Sequence, residues 1–160
     1  QLNALVLASD AAARRQSAWL GAEVALAAGQ PQHALDLVER HPAPQLRPAV
    51  LLHAQAQLAL QRPALASERL QTWVTTHPQD AQAWQWLAQA WQAQNQPLRA
   101  LRAQAEAQVA IRDFSAAQDR LKAAQDLARR GGNQHHIEAS IIDPRLRAVT
   151  ELLREEARKQ

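Results

Sequence analysis

The chain has 160 residues and a net charge of +3, and it contains 8 prolines, 4 glycines and no cysteine. So small a charge, spread along the chain, argues against a basic face that could hold a nucleic-acid backbone. The absence of cysteine excludes disulfides and thiolate chemistry in this chain, and no apolar run approaches the roughly 18 residues of a membrane-spanning helix.

The sequence predicts an all-α domain. Alanine, leucine and glutamine are abundant, tyrosine is absent, and long runs of β-branched residues are missing. The chain begins mid-pattern at Gln1, so we expect a fragment of a longer protein. In chain order, the predicted helices cover residues 10–28, 31–40, 46–60, 63–76, 81–94, 97–111, 114–130 and 144–158.

Four short stretches align with one another: GQPQHA at 29–34, QRPALA at 61–66, NQPLRA at 95–100 and RDFSAA at 112–117. Each ends in alanine, a small residue that permits the close approach of a neighbouring helix. The first three carry proline at the third position, where the first turn of a helix tolerates the missing N–H. Each stretch therefore predicts a tight turn that opens the second helix of a helix–turn–helix unit.

The helix predicted at 81–94 carries Trp84, Leu87, Ala88 and Trp91, which form the buried stripe of an amphipathic helix after the helix-capping Asp80. A unit of about 34 residues with this W-x-x-L-A-x-x-W pattern, a later alanine and a closing proline resembles the tetratricopeptide repeat, or TPR. The resemblance implies a right-handed α-solenoid with a C-terminal capping helix. Its repeats would cover about 13–45, 46–80, 81–112 and 98–130, overlapping in register, and residues 131–160 would form the linker and the cap.

The tail contains a helix stop at residues 131–133 and a helix start at Asp143, which would cap a helix whose first residue is Pro144. The stretch 134–142 between them could be extended or helical. We expect the tail to fold back over the helix at 114–130, because the last helix of a solenoid exposes an apolar face that needs a cover. The residues predicted to provide this cover are Ile137, Ile141, Ile142, Leu146, Val149 and Leu153.

The pair His135 and His136, followed by Glu138 and Asp143, suggests a metal site at first sight. Neighbouring side chains on a helix diverge by about 100°, and a structural zinc site needs four ligands. The H-E-x-x-H motif is absent, no G-x-S-x-G motif surrounds a serine, and no glycine-rich phosphate loop occurs. We therefore expect no metal, no cofactor and no catalytic residue, with a small metalloenzyme as the alternative that metal analysis would test.

The helix predicted at 81–94, the first helix of its repeat, carries a stripe of glutamines along one face. In TPR solenoids the corresponding positions line the concave groove, and a glutamine amide can both donate and accept hydrogen bonds to an extended peptide. A solvated glutamine-rich face is the alternative interpretation. The predicted protein-binding residues, from this unit and the preceding one, are Leu51, Gln55, Leu58, Gln82, Gln85, Gln89 and Gln92.

The tail LKAAQDLARRGGNQHHIEASIIDPRLRAVTELLRE, together with the repeats, resembles the C-terminal TPR region of periplasmic zinc metalloproteases of the BepA type, the β-barrel assembly-enhancing proteases. The matching positions are 121–125, 127–129, 137–143 and 145–147. The resemblance implies a non-catalytic, periplasmic interaction module, bound to its own protease domain and to outer-membrane assembly machinery or client proteins. The protease motif is missing, so catalysis is not carried over. A stand-alone TPR adaptor unrelated to proteolysis is the alternative.

Overall fold

A computed structural model of the chain describes residues 2–131 and 135–159. Within these residues the chain forms eight α-helices and no strand, which confirms the all-α prediction. The helices are α1 (Leu2–Ala27), α2 (Pro31–Arg40), α3 (Arg47–Ala59), α4 (Pro63–Thr76), α5 (Ala81–Ala93), α6 (Pro97–Ala110), α7 (Phe114–Gly131) and α8 (His136–Lys159).

The chain divides into two compact units, residues 1–69 and 70–160, and α4 contributes to both. In the first unit, α1 packs against α2 and α3, and α2 packs against α3. In the second unit, α5 packs against α6, α6 against α7, and α7 against α8, which also contacts α6. Packing of consecutive helices within each unit is consistent with an α-solenoid.

The four aligned turns share one backbone geometry. Their first residues, Gly29, Gln61, Asn95 and Arg112, all adopt the left-handed conformation, with φ between +55° and +70°. In each turn the amide of the second residue donates to a carbonyl five residues earlier, at 2.8–2.9 Å, and the amide of the first donates to a carbonyl three residues earlier. These two bonds form the Schellman motif that ends a helix. The four stretches that align in sequence therefore share one turn geometry in the structure.

The alanine that ends each aligned stretch lies in a tight helix contact. Ala34, Ala66, Ala100 and Ala117 are all fully buried or nearly so. A larger side chain at any of these positions would push two packed helices apart, because protein interiors have few voids. The small residue is therefore a packing requirement of the turn, as the sequence predicts.

Three of the four left-handed positions carry a side chain where glycine is preferred. A residue with a Cβ loses roughly 1 kcal/mol in this conformation. We expect Gln61→Gly to raise the free energy of unfolding by about 0.5–1 kcal/mol, measured by urea denaturation. The control is Gly29→Ala, which should lower it by about 1 kcal/mol, because a Cβ there meets no atom within 4 Å and only the backbone is affected. Equal effects of the same sign would contradict this account.

Side chains set the turn between α4 and α5. The Trp73 indole donates to Asp80 Oδ2 at 3.0 Å, and the His77 ring stacks on Trp73 with 3.6 Å between the ring centroids. Asp80 Oδ1 accepts a hydrogen bond from the Ala83 amide at 3.2 Å, which confirms the predicted N-cap of α5. The start of α5 is therefore fixed by Asp80, which contacts both Trp73 of α4 and the first turn of α5.

The start of α8 differs from the prediction. The helix begins at His136 and continues through Pro144, so the predicted start at Asp143 is wrong. Asp143 instead accepts a hydrogen bond from Gln125 of α7 at 2.9 Å. A proline inside a helix costs about 3 kcal/mol, because it removes one hydrogen bond and its ring crowds the preceding turn. Contacts of α8 on both sides of Pro144 offset that cost.

These contacts repeat every seven residues along α8. Toward α6, Glu138 pairs with Arg99 at 2.8 Å and Arg145 pairs with Glu106 at 2.6 Å. Toward α7, Gln125 bonds Asp143 and Gln118 bonds Thr150 at 2.9 Å. Along α8 the contact partners on α6 increase in residue number, whereas the partners on α7 decrease. The last helix is therefore parallel to α6 and antiparallel to α7.

The apolar residues of α8 divide into two groups. Ile142 and Val149 are fully buried in a core with Leu121 and Ala124 of α7, and Leu146 and Leu153 pack against it. These four cover α7 as the sequence predicts. Ile137 and Ile141 do not, since they are 76% and 42% exposed, and for them the prediction is wrong. Their angular position on α8 lies away from the face that meets α7.

Substitution of two adjacent isoleucines measures how much the packing of α8 on α7 contributes to stability. Ile142→Ala removes fully buried methyl groups and leaves a cavity, so it should lower the free energy of unfolding by about 2–4 kcal/mol. Ile141→Ala is the matched control and should cost less than about 1 kcal/mol, because Ile141 is half exposed. Urea denaturation of both variants gives the comparison, and similar losses would mean that α8 does not dock through Ile142.

His53 of α3 is a half-buried titratable group in the first unit. Its Nε2 lies 3.4 Å from Gln57 Nε2, and its Nδ1 is buried without a hydrogen-bond partner among the described residues. Burial, and then the charge of Arg69, lower the pKa of His53 from 6.5 to about 4. The imidazole is therefore neutral in the folded protein at pH 7.

This shift makes stability depend on pH. Between pH 6.5 and 4 the unfolded chain protonates His53 while the folded protein does not, so stability is complete above about pH 6.5 and falls as the pH decreases toward 4. After allowance for solvent screening, we expect His53 to account for a loss of about 1–2 kcal/mol. Urea denaturation of the wild type and of His53→Gln across this range should show a steeper loss in the wild type. Parallel curves would contradict the assignment.

Candidate protein-binding surfaces

The predicted glutamine stripe lies on the exposed face of α5. Gln82, Gln85, Gln89 and Gln92 are all exposed, whereas Leu87 and Trp91 on the other side of the helix are buried. Neither a charged nor a large apolar side chain interrupts the four amides along this face. The stripe can therefore offer neutral donors and acceptors over about three turns of helix.

The other three predicted binding residues lie on α3, in the first unit. Leu51 is 5% exposed and presents almost no surface, while Gln55 and Leu58 are half-buried. The α3 and α5 positions belong to different compact units. That the two sets line one groove stays a prediction.

The histidine and glutamate cluster is arranged around an ion pair. Glu138 Oε1 accepts a hydrogen bond from Arg99 Nε at 2.8 Å, and Glu138 Oε2 lies 3.5 Å from Arg102 Nη1. His136 is exposed, and His135 precedes the helix. No group of three or more potential metal ligands occurs in residues 2–131 and 135–159. Glu138 therefore serves to attach the first turn of α8 to α6.

A cavity of about 340 Å³ lies on a different face of α5 from the glutamine stripe. Residues 84, 87 and 91 line it, and at about 100° per residue they lie roughly 150° around the helix from the stripe. The remaining walls come from the C-terminal half of α4, from α6 and from the first turns of α8. This cavity could not be predicted from the sequence, because the predicted last helix begins at residue 144 and leaves residues 134–142 outside it.

A second cavity, of about 260 Å³, lies at the start of α6. Pro97 and Leu98 contribute apolar wall, and Asn95, Gln96 and His135 contribute polar groups. The two cavities share Arg99, Ile137 and Glu138 as lining residues. The ion pair between Arg99 and Glu138 therefore stands between them.

The walls around this ion pair are held in place by neighbouring contacts. The Arg99 guanidinium lies over the Trp91 ring, 4.9 Å from its centroid, a cation–π contact that orients the charge. Two turns further along, Arg145 makes two hydrogen bonds to Glu106, at 2.7 and 2.6 Å. These hydrogen bonds raise the pKa of Arg145. The second pair keeps α8 beside α6 independently of Glu138.

Across the described helices, none combines the length and the apolar character needed to cross a membrane. The chain matches no protein-family model and no curated protein.

Proposed function

We propose that the chain is a non-catalytic protein–protein interaction module, a right-handed solenoid of TPR type that serves a periplasmic zinc metalloprotease in outer-membrane protein quality control. Its partners would be the protease domain of the same protein and either outer-membrane assembly machinery or client proteins. The glutamine stripe on α5 is the observation that carries the binding role.

The repeat type is supported by the turns. Four Schellman turns of the same geometry, each followed by a buried alanine, separate successive helices. On α5, Leu87, Ala88 and Trp91 of the W-x-x-L-A-x-x-W pattern are buried, Trp84 is half-buried, and Asp80 caps the helix. This combination is the one expected of helix–turn–helix repeats, in which each unit buries its apolar face against its neighbours.

The periplasmic and protease parts of the proposal are supported by the resemblance of the tail to BepA-type proteases. The residues that carry this resemblance have defined roles in α8: Glu138 pairs with Arg99, Ile142 is buried, and Asp143 bonds Gln125. A reading frame that encodes an H-E-x-x-H domain upstream, behind a signal peptide, would support this part of the proposal. A reading frame without such a domain would contradict it and would favour the alternative, a stand-alone TPR adaptor.

The binding role is supported by the chemistry of the stripe. Four adjacent amides can pair with the donors and acceptors of an extended backbone, and they need no charge on the partner. Such contacts should depend weakly on salt, because few ions are paired. A partner chosen for its backbone rather than for its charge fits a protein that meets unfolded or partly folded clients.

The stripe is tested with Gln85→Glu combined with Gln89→Glu. Both residues are exposed, so the domain should fold normally, while two donors are replaced by charged acceptors. We expect partner recovery from a periplasmic extract, and the affinity for a urea-unfolded outer-membrane β-barrel protein as a defined probe, to fall about tenfold.

The matched control is Gln16→Glu combined with Gln45→Glu, which makes the same charge change at exposed positions outside α5. It should bind like the wild type, and circular dichroism should show the same helix content for all three proteins. Equal recovery by the stripe variant would place the binding surface elsewhere. Recovery of no outer-membrane assembly protein or client by the wild type would contradict the proposed partners.

A further inference from the structure

The Arg99–Glu138 ion pair lies between two cavities beside α6. The cavities on its two sides share both residues and Ile137 as walls. Glu138 therefore contributes both to this ion pair and to the walls of the two cavities. Glu138 lies in the first turn of its helix, while the buried Ile142 and Val149 hold the rest of α8 in place.

The larger cavity is lined by apolar and polar side chains in similar measure, and its apolar part can hold an apolar side chain. Val74, Leu87, Trp91 and Ala103 supply apolar surface from three different helices. At its edge, Ile137 and Ile141 are 76% and 42% exposed, although they lie one helical turn apart and next to the cavity. Exposed isoleucines beside apolar wall residues such as these are typical of a surface that a partner covers.

The smaller cavity offers a second, shallower apolar contact. Pro97 is half-buried and Leu98 is buried, and both line the cavity at the first turn of α6. An extended segment that crosses the ion pair would place residues on either side of it in the two cavities. Apolar wall residues therefore lie on both sides of the arginines along the groove.

The charges of the groove are unequal. Two guanidinium groups, Arg99 and Arg102, face one carboxylate, that of Glu138. Arg102 reaches it only at 3.5 Å, and among the described residues no donor makes a hydrogen bond to the buried Oε2 of Glu138. A carboxylate free to take its best position could make shorter, charge-assisted bonds to both arginines.

We propose that this groove binds a linear acidic segment of a partner protein, in which one carboxylate stands between two apolar side chains. The partner's carboxylate takes the place of Glu138 on Arg99 and Arg102, and its apolar neighbours enter the two cavities. Glu138 is then an internal competitor that keeps the groove divided in the free protein. The Arg145–Glu106 pair keeps α8 attached to α6 while the first turn of α8 moves away from the arginines.

This site is separate from the glutamine stripe, which lies on another face of α5, and neither depends on the other. The two surfaces also differ in chemistry, since the groove carries a net positive charge and the stripe is neutral. Binding in the groove should weaken with added salt, because salt screens the attraction between the partner's carboxylate and the two arginines.

The probe is a capped five-residue peptide with one glutamate between two leucines and serine at each end, titrated into the full ¹⁵N-labelled chain. The matched control peptide has glutamine in place of the glutamate. We expect the first peptide to shift the indole signals of Trp84 and Trp91 and the amides of α6 and the start of α8. The control peptide should bind about tenfold more weakly.

Substitutions test whether Glu138 competes with the acidic peptide for the two arginines. Glu138→Gln should raise the affinity for the acidic peptide by about tenfold, because the internal carboxylate no longer competes. Arg102→Gln should lower it about tenfold, and Glu151→Gln, on an exposed pair of the same helix, should leave it unchanged. Gln85→Glu with Gln89→Glu should also leave it unchanged, so that a failure of the stripe and a failure of the groove are distinguishable.

The proposal is overturned if wild-type protein binds both peptides equally, if millimolar acidic peptide shifts no signal of the groove, or if the shifts fall on the glutamine stripe. It is also overturned if Glu138→Gln folds normally and binds no more tightly than the wild type. Should Glu138→Gln lose the first turn of α8, the wild-type comparison of the two peptides and the Arg102→Gln variant decide the question.

Discussion

Burial of Ile142 and Val149 against α7 is the contact on which the C-terminal half of this protein depends. These side chains lie seven residues apart and are both fully buried, so α8 must stay helical between them although Pro144 falls in that interval. A continuous helix sets the register of everything else on α8. Glu138 meets Arg99, and Arg145 meets Glu106, because the spacing on α6 is also seven residues.

The same docking event closes the end of the helical array and builds a groove. Ile142 of α8 covers α7, and Glu138 and Ile141 line the cavity beside α5 and α6. A cap that only closed the core would not need two isoleucines in contact with solvent. Helix α8 thus covers α7 and, in the proposed groove, would also contact a partner, while the Arg145–Glu106 pair attaches it to α6.

Helix α5 likewise serves two surfaces of different chemistry. Its inward side supplies Trp84 and Trp91 to the cationic groove, and its outward side carries uncharged amides. Neutral amides suit many partners that share only a peptide backbone, whereas a pair of arginines between two apolar cavities suits a defined short motif. In the proposed function, a module with both surfaces would bind a varied client on one face and a fixed partner on the other.

The sequence by itself determined the helices from α2 to α7 and the turns between them. The left-handed residues Gln61, Asn95 and Arg112 and the buried alanines sit where the aligned stretches put them, because capping, proline placement and helical periodicity act within a few residues. Only the tertiary structure decided that α8 begins at His136, that Leu51 is buried, and that Glu138 meets Arg99 across 39 residues of chain. Local rules favour a helix start at Asp143 and Pro144, and packing energy from distant residues outweighs them. The groove follows from that packing, which no local pattern reveals.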